Sequence, residues 1–513
     1  DDGSCPMSGG TGSLVVGIDC GSQSAKVAVL AADGTLVAHG QRVLRPMSRP
    51  THGVVVHPDD DLWDATIEAT RAAMEMLSSI GRHSSEVAAV GLCSIRCCKV
   101  FTDADGELVE PVISWMDDRA YRPYVPLLPD GRPDPRSVWA TTTSGYLMRR
   151  LTGEADDTAA NCIEMQWPID ADGVDWSADD TVIGRYGLTR EVLGRLVQPG
   201  EVGGRVTADA ASLTGLPVGV PVVHTANDKA VEALGSGAVS DRSVVLSLGT
   251  YICAMTHGSP PSTTPGAPAA YWTNPACLPG RWLFESAGVR RGMWTVTWLL
   301  DLIGPEFADR AVVEGVSREQ LLEREAASTP PGSDGLLTVL DWLAPTDHPY
   351  RKGSMLGFDA RHTRGHLFRS VLEAIALTMR GHVVAMLDEL GRPLGPDVEL
   401  IVTGGGASGD LFMQIIADVF GVPARRLRLH SGSSPASVGA AACAAAAVGL
   451  HPSIDDAALA MAPSHERVEP RPEPHALYGR IAGELEPHLR DATDPLYRRS
   501  YPLFHEPDRE DLP

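Results

Sequence analysis

Asp19, Gly21, Ser22, Gln23, Ser24 and Lys26 crowd into one turn of the stretch LVVGIDCGSQSAKVAVL, Leu14–Leu30. Val15, Val16 and Ile18 lead in and Val27, Val29 and Leu30 lead out, which reads as a β-hairpin. A hairpin turn asks for a glycine with positive φ; it does not ask for a carboxylate, hydroxyls and an ammonium. Backbone N–H groups in a glycine turn form a nest that suits phosphate oxygens. Lys26 could add a point charge there, and Asp19 could hold Mg²⁺ directly or through water. A solvated polar turn is the plain alternative.

The pattern returns in SVVLSLGTYICAMT, Ser243–Thr256, where Gly249 and Thr250 form the turn. Two such hairpins, each opening one half of the chain, suggest a duplicated fold with two phosphate nests facing each other across a cleft. Between them, VPVVHTANDKAVEALGSGA delivers Asp228 from a strand (Val220–Val223) to the start of a small-residue helix, Lys229–Gly235. A carboxylate there either caps the helix or takes the proton of an attacking hydroxyl, a recurrent part of phosphoryl transfer. LIVTGGGASGD places Gly404, Gly405, Gly406 and Ala407 between a strand and a helix. This reads as a loop that lets adenosine approach the backbone. A dinucleotide fingerprint is the alternative, but it belongs after the first strand of a βαβ unit with an acid about 20 residues on.

The elements that must position these groups alternate strands and helices. LVAHGQRVL and VAAVGLCSI read as strands, and HPDDDLWDATIEATRAAMEMLSSIG as a helix. CKVFTDADGELVEPVISW reads as two strands around an Asp-Gly turn. In the second half GRWLFESAG is expected to be a strand, GMWTVTWLLDLIG a helix with Trp294 and Trp298 on one buried face, and HLFRSVLEAIALTMRGHVVAMLDELG a long amphipathic helix. The chain crosses between halves near LGSGAVSDRS, Leu234–Ser243.

A chain of 513 residues exceeds one typical domain, so two large domains are expected. With 43% hydrophobic and 21% charged residues it has the composition of a soluble globular protein. A net charge of −23 argues against nucleic acid as a partner, although a local nest and one lysine can still hold a small anion. The nine cysteines show no C-x-x-C pair, and no secretory segment opens the chain, so a cytoplasmic location is expected. Adjacent Cys97 and Cys98 are read as core packing rather than a metal or redox pair. Residues 1–12, DDGSCPMSGGTG, read as a disordered leader. The apolar run Ala436–Leu450 is too short for a membrane span and reads as a buried helix packed through small side chains.

Seven motifs in order resemble the FGGY carbohydrate kinases, which include xylulokinase, gluconate kinase and glycerol kinase. They are GIDCGSQSAKVAV, VISWMDDRA, YLMRRLTGE, ANDKAVEALGSGAV, LSLGT, GFDARHTRGHLFRSVLEAIAL and VTGGGASGDLFMQIIADVFGVP, within about residues 13–450. The resemblance implies an α/β fold of two actin-like (ribonuclease-H-like) domains closing over ATP-Mg²⁺ and a polyol or ketose. The implied division is an N-terminal domain over 13–240 for sugar and phosphate, a C-terminal domain over 241–455 for adenosine, and a helical extension over 456–513. Asp228 would be the general base and Asp19 the metal-associated carboxylate. Gly21, Ser22, Gln23, Ser24, Lys26, Gly249, Thr250, Gly292, Gly404, Gly405, Gly406 and Ala407 would line the nucleotide.

At the sugar end the resemblance implies Arg96, Trp115, Asp118 and Arg119, alongside Asp228. Here GLCSIRCCKV stands where glycerol kinases carry Asn-Gln-Arg-Glu and xylulokinases Gln-Met-His-Gly, so Arg96 matches while Cys97 replaces a glutamate. A short Pro-rich loop after Arg119 and APTDHPYRKGSMLGFD before the long helix also depart from the family. The implied partners are a small sugar or polyol, with neither nucleic acid nor membrane, and a homodimer as a conceivable assembly. Two other functions stay open at this point. One is an NAD(P)-linked dehydrogenase leaning on GGGASG. The other is a non-catalytic protein of the same fold that senses sugar or nucleotide.

Overall fold

The computed structural model describes residues 13–170, 172–249, 251–260, 270–345 and 347–504. The leader read over 1–12 and the predicted nucleotide residue Thr250 lie outside them. The first hairpin forms as its apolar arms require: β1 (Leu14–Cys20) pairs antiparallel with β2 (Ser24–Ala31), and β2 with β3 (Leu36–Val43). After helix α1 (Asp61–Ser79), β4 (Val87–Ser94) returns parallel to β1. The chain later adds β5 (Val202–Arg205) and β6 (Pro221–His224), giving a six-stranded sheet of order β3-β2-β1-β4-β6-β5.

The second half repeats this order. β7 (Ser243–Leu248) and β8 (Ile252–Gly258) form the second hairpin, followed by β9 (Tyr271–Pro275) and β10 (Trp282–Ser286). β11 (Glu399–Thr403) and β12 (Ala424–Leu427) then run parallel to β7, and β13 (His465–Val468) closes the edge antiparallel. The seven-stranded order is β9-β10-β8-β7-β11-β12-β13. Leaving out β9, each strand has a counterpart in the first sheet with the same direction and neighbours. The duplication expected from the two hairpins is therefore a duplication of topology.

The two halves interlock through small residues. Helix α2 (Asp228–Gly235) follows β6, and a later helix (Pro435–Ala447), the Ala-rich run, packs on α2, β1 and β4. A Cβ on Gly17 or Gly91 would sit 1.8 Å from the carbonyl oxygens of Ser437 or Ala440. One on Gly235 would sit 1.8 Å from that of Pro435. The apolar core between the sheets draws Val15, Ala89 and Val223 from one sheet and Val245, Met255 and Ile401 from the other. The outer face of the second sheet is covered by the long helix Arg364–Glu389. That helix is apolar enough to cross a membrane by length and composition, but 67% of its apolar window is buried inside the fold, as for a core helix.

Three expectations need correction. After the Asp-Gly turn, the second arm of CKVFTDADGELVEPVISW is not a strand: Val100–Thr102 pairs instead with Trp139–Thr141. The downstream arm keeps isolated bridges, Thr102 to Leu108 and Ile113 to both Lys99 and Val56. Trp294 does not share a buried face with Trp298; it is 37% exposed under the Arg291 guanidinium, while Trp298 packs edge-on to Trp342. The C-terminal extension contains a strand, β13, besides its helices.

Candidate active site

The chemistry-bearing residues collect at the carboxyl ends of the strands that run with β1 and β7. That is where helix N-termini and loops leave room for a ligand. Asp19 lies near the end of β1, opposite Lys26 on β2. The Gly21 N–H is turned to the Ser24 carbonyl at 3.1 Å, closing the turn through Ser22 and Gln23. Ser434, which caps the Ala-rich helix, donates to Asp19 Oδ2 at 2.7 Å. Burial lifts the Asp19 carboxyl to about 6, against the pull of Ser434 and Lys26 and with Asp228 and Glu232 adding to the rise. Among the described residues no group of three or more His, Cys, Asp or Glu is arranged to hold a metal alone. A lone carboxylate such as Asp19 fits Mg²⁺, which takes one or two carboxylates and completes its shell with waters and phosphates.

Three predicted nucleotide elements converge in the second half. Gly404, at φ +88°, passes so close to β7 that a Cβ would lie 2.7 Å from the Leu248 carbonyl carbon, just before Gly249. Gly406 abuts Leu248 and Met293, Gly405 is open to solvent, and Ala407 is buried under the turn. Gly292 starts the helix Gly292–Ile303 with no room for a side chain against Ile252. The glycine run thus borders the second hairpin.

Asp228 is the first residue of α2, yet the cap is its neighbour: Asn227 Oδ1 accepts from the Lys229 and Ala230 N–H groups. The Asp228 carboxylate is 28% exposed and stands 3.6 Å from Arg96 Nε. Burial raises its carboxyl above the ordinary range, opposed by Arg96 and Lys229 and reinforced by Glu232 and Glu285. Lys229 Nζ is held by Glu232 at 2.8 Å and donates to Ser247 Oγ at 3.2 Å, so α2 is pinned to β7.

Arg96, in the loop after β4, forms a two-pronged pair with Glu285 of β10, at 2.7 and 2.8 Å. Sequence reading took LFES only as part of a strand. The available signal was a carboxylate among core residues of that strand, a position that demands a charged partner. Trp115 is 41% exposed, and its carbonyl accepts from Tyr121 at 2.8 Å. Asp118 is exposed, its amide on Gly53, and no described contact joins it to Arg96. Arg119 is engaged by the buried Asp117 at 2.8 and 2.9 Å and reaches Glu110 at 3.2 Å. Arg119 and Asp117 therefore brace the loop, Asp117 also accepting the Val55 N–H, and Asp118 is the aspartate that faces outward.

Residues 14–132 and 137–235 match the N-terminal domain of the FGGY family of carbohydrate kinases, and 244–448 match its C-terminal domain. A protein described as an uncharacterized sugar kinase, YgcE of Escherichia coli K12, is 39% identical over 491 residues, 96% of each chain. The crystal structure of xylulose kinase from Rhodospirillum rubrum superposes with a TM-score of 0.78 at 24% identity, covering 95% of this chain and 100% of that one. Plasmodium falciparum glycerol kinase with ADP gives 0.73 at 14% identity, over 93% and 98%. These likenesses show the same two-domain actin-like fold. Together with the duplicated sheets and the residues gathered where they meet, the matches place this chain in the FGGY family of carbohydrate kinases, as an ATP-dependent phosphotransferase acting on a sugar or alcohol acceptor.

Proposed function

We propose that the protein transfers the γ-phosphate of ATP to a hydroxyl of a small ketose or polyol, with Asp228 as general base. The observation that carries this is the placement of Asp228, whose Oδ1 accepts the Lys229 N–H at 2.9 Å while the carboxylate stays 28% exposed. Asn227 caps the helix in its place, which leaves a raised carboxyl between the two sheets with Arg96 beside it. A carboxylate so placed accepts the proton of the attacking hydroxyl as the O–P bond forms. The first domain, 13–240, would hold the acceptor through Arg96, Trp115 and Asp118. The second, 241–455, would hold adenosine against Gly404–Ala407 and Gly292. The turns Gly21–Ser24 and Gly249–Thr250, with Lys26, would present donors to the phosphates. Asp19 would hold Mg²⁺, which when bound neutralises charge developing on the transferred group. Arg119, spent on Asp117, would support the acceptor loop. The dehydrogenase and the non-catalytic sensor gain no support, since the first leaves both hairpins and Asp228 without a role.

The test is ADP release on a panel of polyols, ketoses and aldonates, followed by Asp228→Asn on the best acceptor. The expected loss in kcat is about 10²–10⁴, with KM values within a few fold. A variant keeping more than a tenth of the wild-type kcat rejects Asp228 as the base.

A further inference from the structure

Glu285 has no role in the reading above, yet its environment bears on what the acceptor can be. It is 2% exposed, and its two oxygens take Nη1 and Nη2 of Arg96 in a fork-to-fork pair, which is both strong and geometrically strict. The pair bridges β10 of the second sheet and the loop after β4 of the first. Only Nε of that guanidinium points toward Asp228, at 3.6 Å. The other cation acting on Asp228, Lys229, is likewise committed to Glu232. Both cations nearest the base therefore already carry a carboxylate of their own, and Asp19 adds further negative charge.

A sugar acid entering here would have to take Arg96 from Glu285 and leave that buried carboxylate with only the Cys253 thiol and the charge of Lys229, itself paired with Glu232, a costly exchange. An uncharged acceptor needs only hydrogen bonds from groups already oriented. Resting on the kinase reading, we propose that Glu285 is a positioning residue: it holds Arg96 across the two sheets and restricts the site to uncharged polyol or ketose acceptors, excluding sugar acids.

The experiment compares four- to six-carbon polyols and ketoses with the aldonates of the same skeleton, D-glucitol against D-gluconate among them. Calorimetric Kd and kcat/KM are measured on the wild type and on Glu285→Gln. The wild type is expected to prefer the uncharged member by about a hundred-fold or more. Glu285→Gln, of equal size, should narrow that preference at least ten-fold, about 1.4 kcal/mol, by tightening the aldonate. A merely structural lesion would depress both classes together, and that equal loss overturns the proposal. Wild-type protein that binds aldonates as well as polyols overturns it too, whether or not the variant folds. Absence of acceptor-dependent ADP release with the whole panel would instead reject the kinase reading, while the Kd comparison still decides the role of Glu285.

Discussion

As the proposed general base, Asp228 has to be ionised to take a proton, so kcat/KM should fall as pH drops through its pKa. Its carboxyl is lifted by burial, so the acid limb lies above the ordinary carboxylate range. Arg96 is the foremost influence pulling that pKa down, ahead of Lys229, while Glu232 and Glu285 push it up. Arg96→Ala should therefore move the acid limb to higher pH and raise the acceptor KM about ten-fold or more, with the ATP KM little changed. An acid limb that stays in place would mean Arg96 does not act on Asp228. At this scale residue type and spacing made Asp19 and Asp228 legible, because a charged group at a strand end or turn is conspicuous, whereas Arg96 came only from the family resemblance. They did not tell Asp117 from Asp118. Two adjacent aspartates look alike in a string, and only packing turned one onto Arg119 and the other to solvent.

Among the elements, the Ala-rich helix ties stability to the site. It presses so closely on β1 and β4 that no side chain fits at Gly17 or Gly91. Its cap Ser434, bonded to Ser437, also holds Asp19. Gly17→Ala should push this helix away at Ser437, costing about 1–3 kcal/mol by denaturant unfolding. It should also raise the Mg²⁺ concentration needed for half-maximal activity, because Asp19 loses its serine. A variant as stable as wild type would mean the interface yields without cost. The run of small residues announced a closely packed helix, but its contact surface, a sheet built by the other half of the chain, was not readable from it.

The whole molecule is closed at its C-terminus by segments that satisfy buried charge in the second half. Tyr478 donates to Glu373 at 2.6 Å and receives Arg369 at 3.1 Å, all three buried. Arg471 covers the buried Asp418 at 2.6 Å, and β13 protects the edge of β12. Ending the chain after Pro463 strips all of these. With at least two buried charged groups left short of partners, the melting midpoint should fall by about 5 °C or more. An unchanged midpoint would make the extension dispensable. Tyr478→Phe, which removes a single hydroxyl, should show a smaller loss in the same direction, about 1–3 kcal/mol.

Local pattern by itself determined most of the strands, the long helices and the two hairpins. Alternation, helical periodicity and glycine at sharp turns are properties of neighbouring residues. It also determined the duplication, since the same hairpin recurs at the head of each half. Tertiary structure alone decided which distant charges meet. Arg96 and Glu285 are separated by 189 positions, and Asp19 and Ser434 by 415, so each pair exists only once the sheets have formed and packed. A buried carboxylate needs its cation, but the chain between them carries no record of which one it finds. The partner of Glu285 is set by the register of β10 in the second sheet and by the loop after β4 in the first.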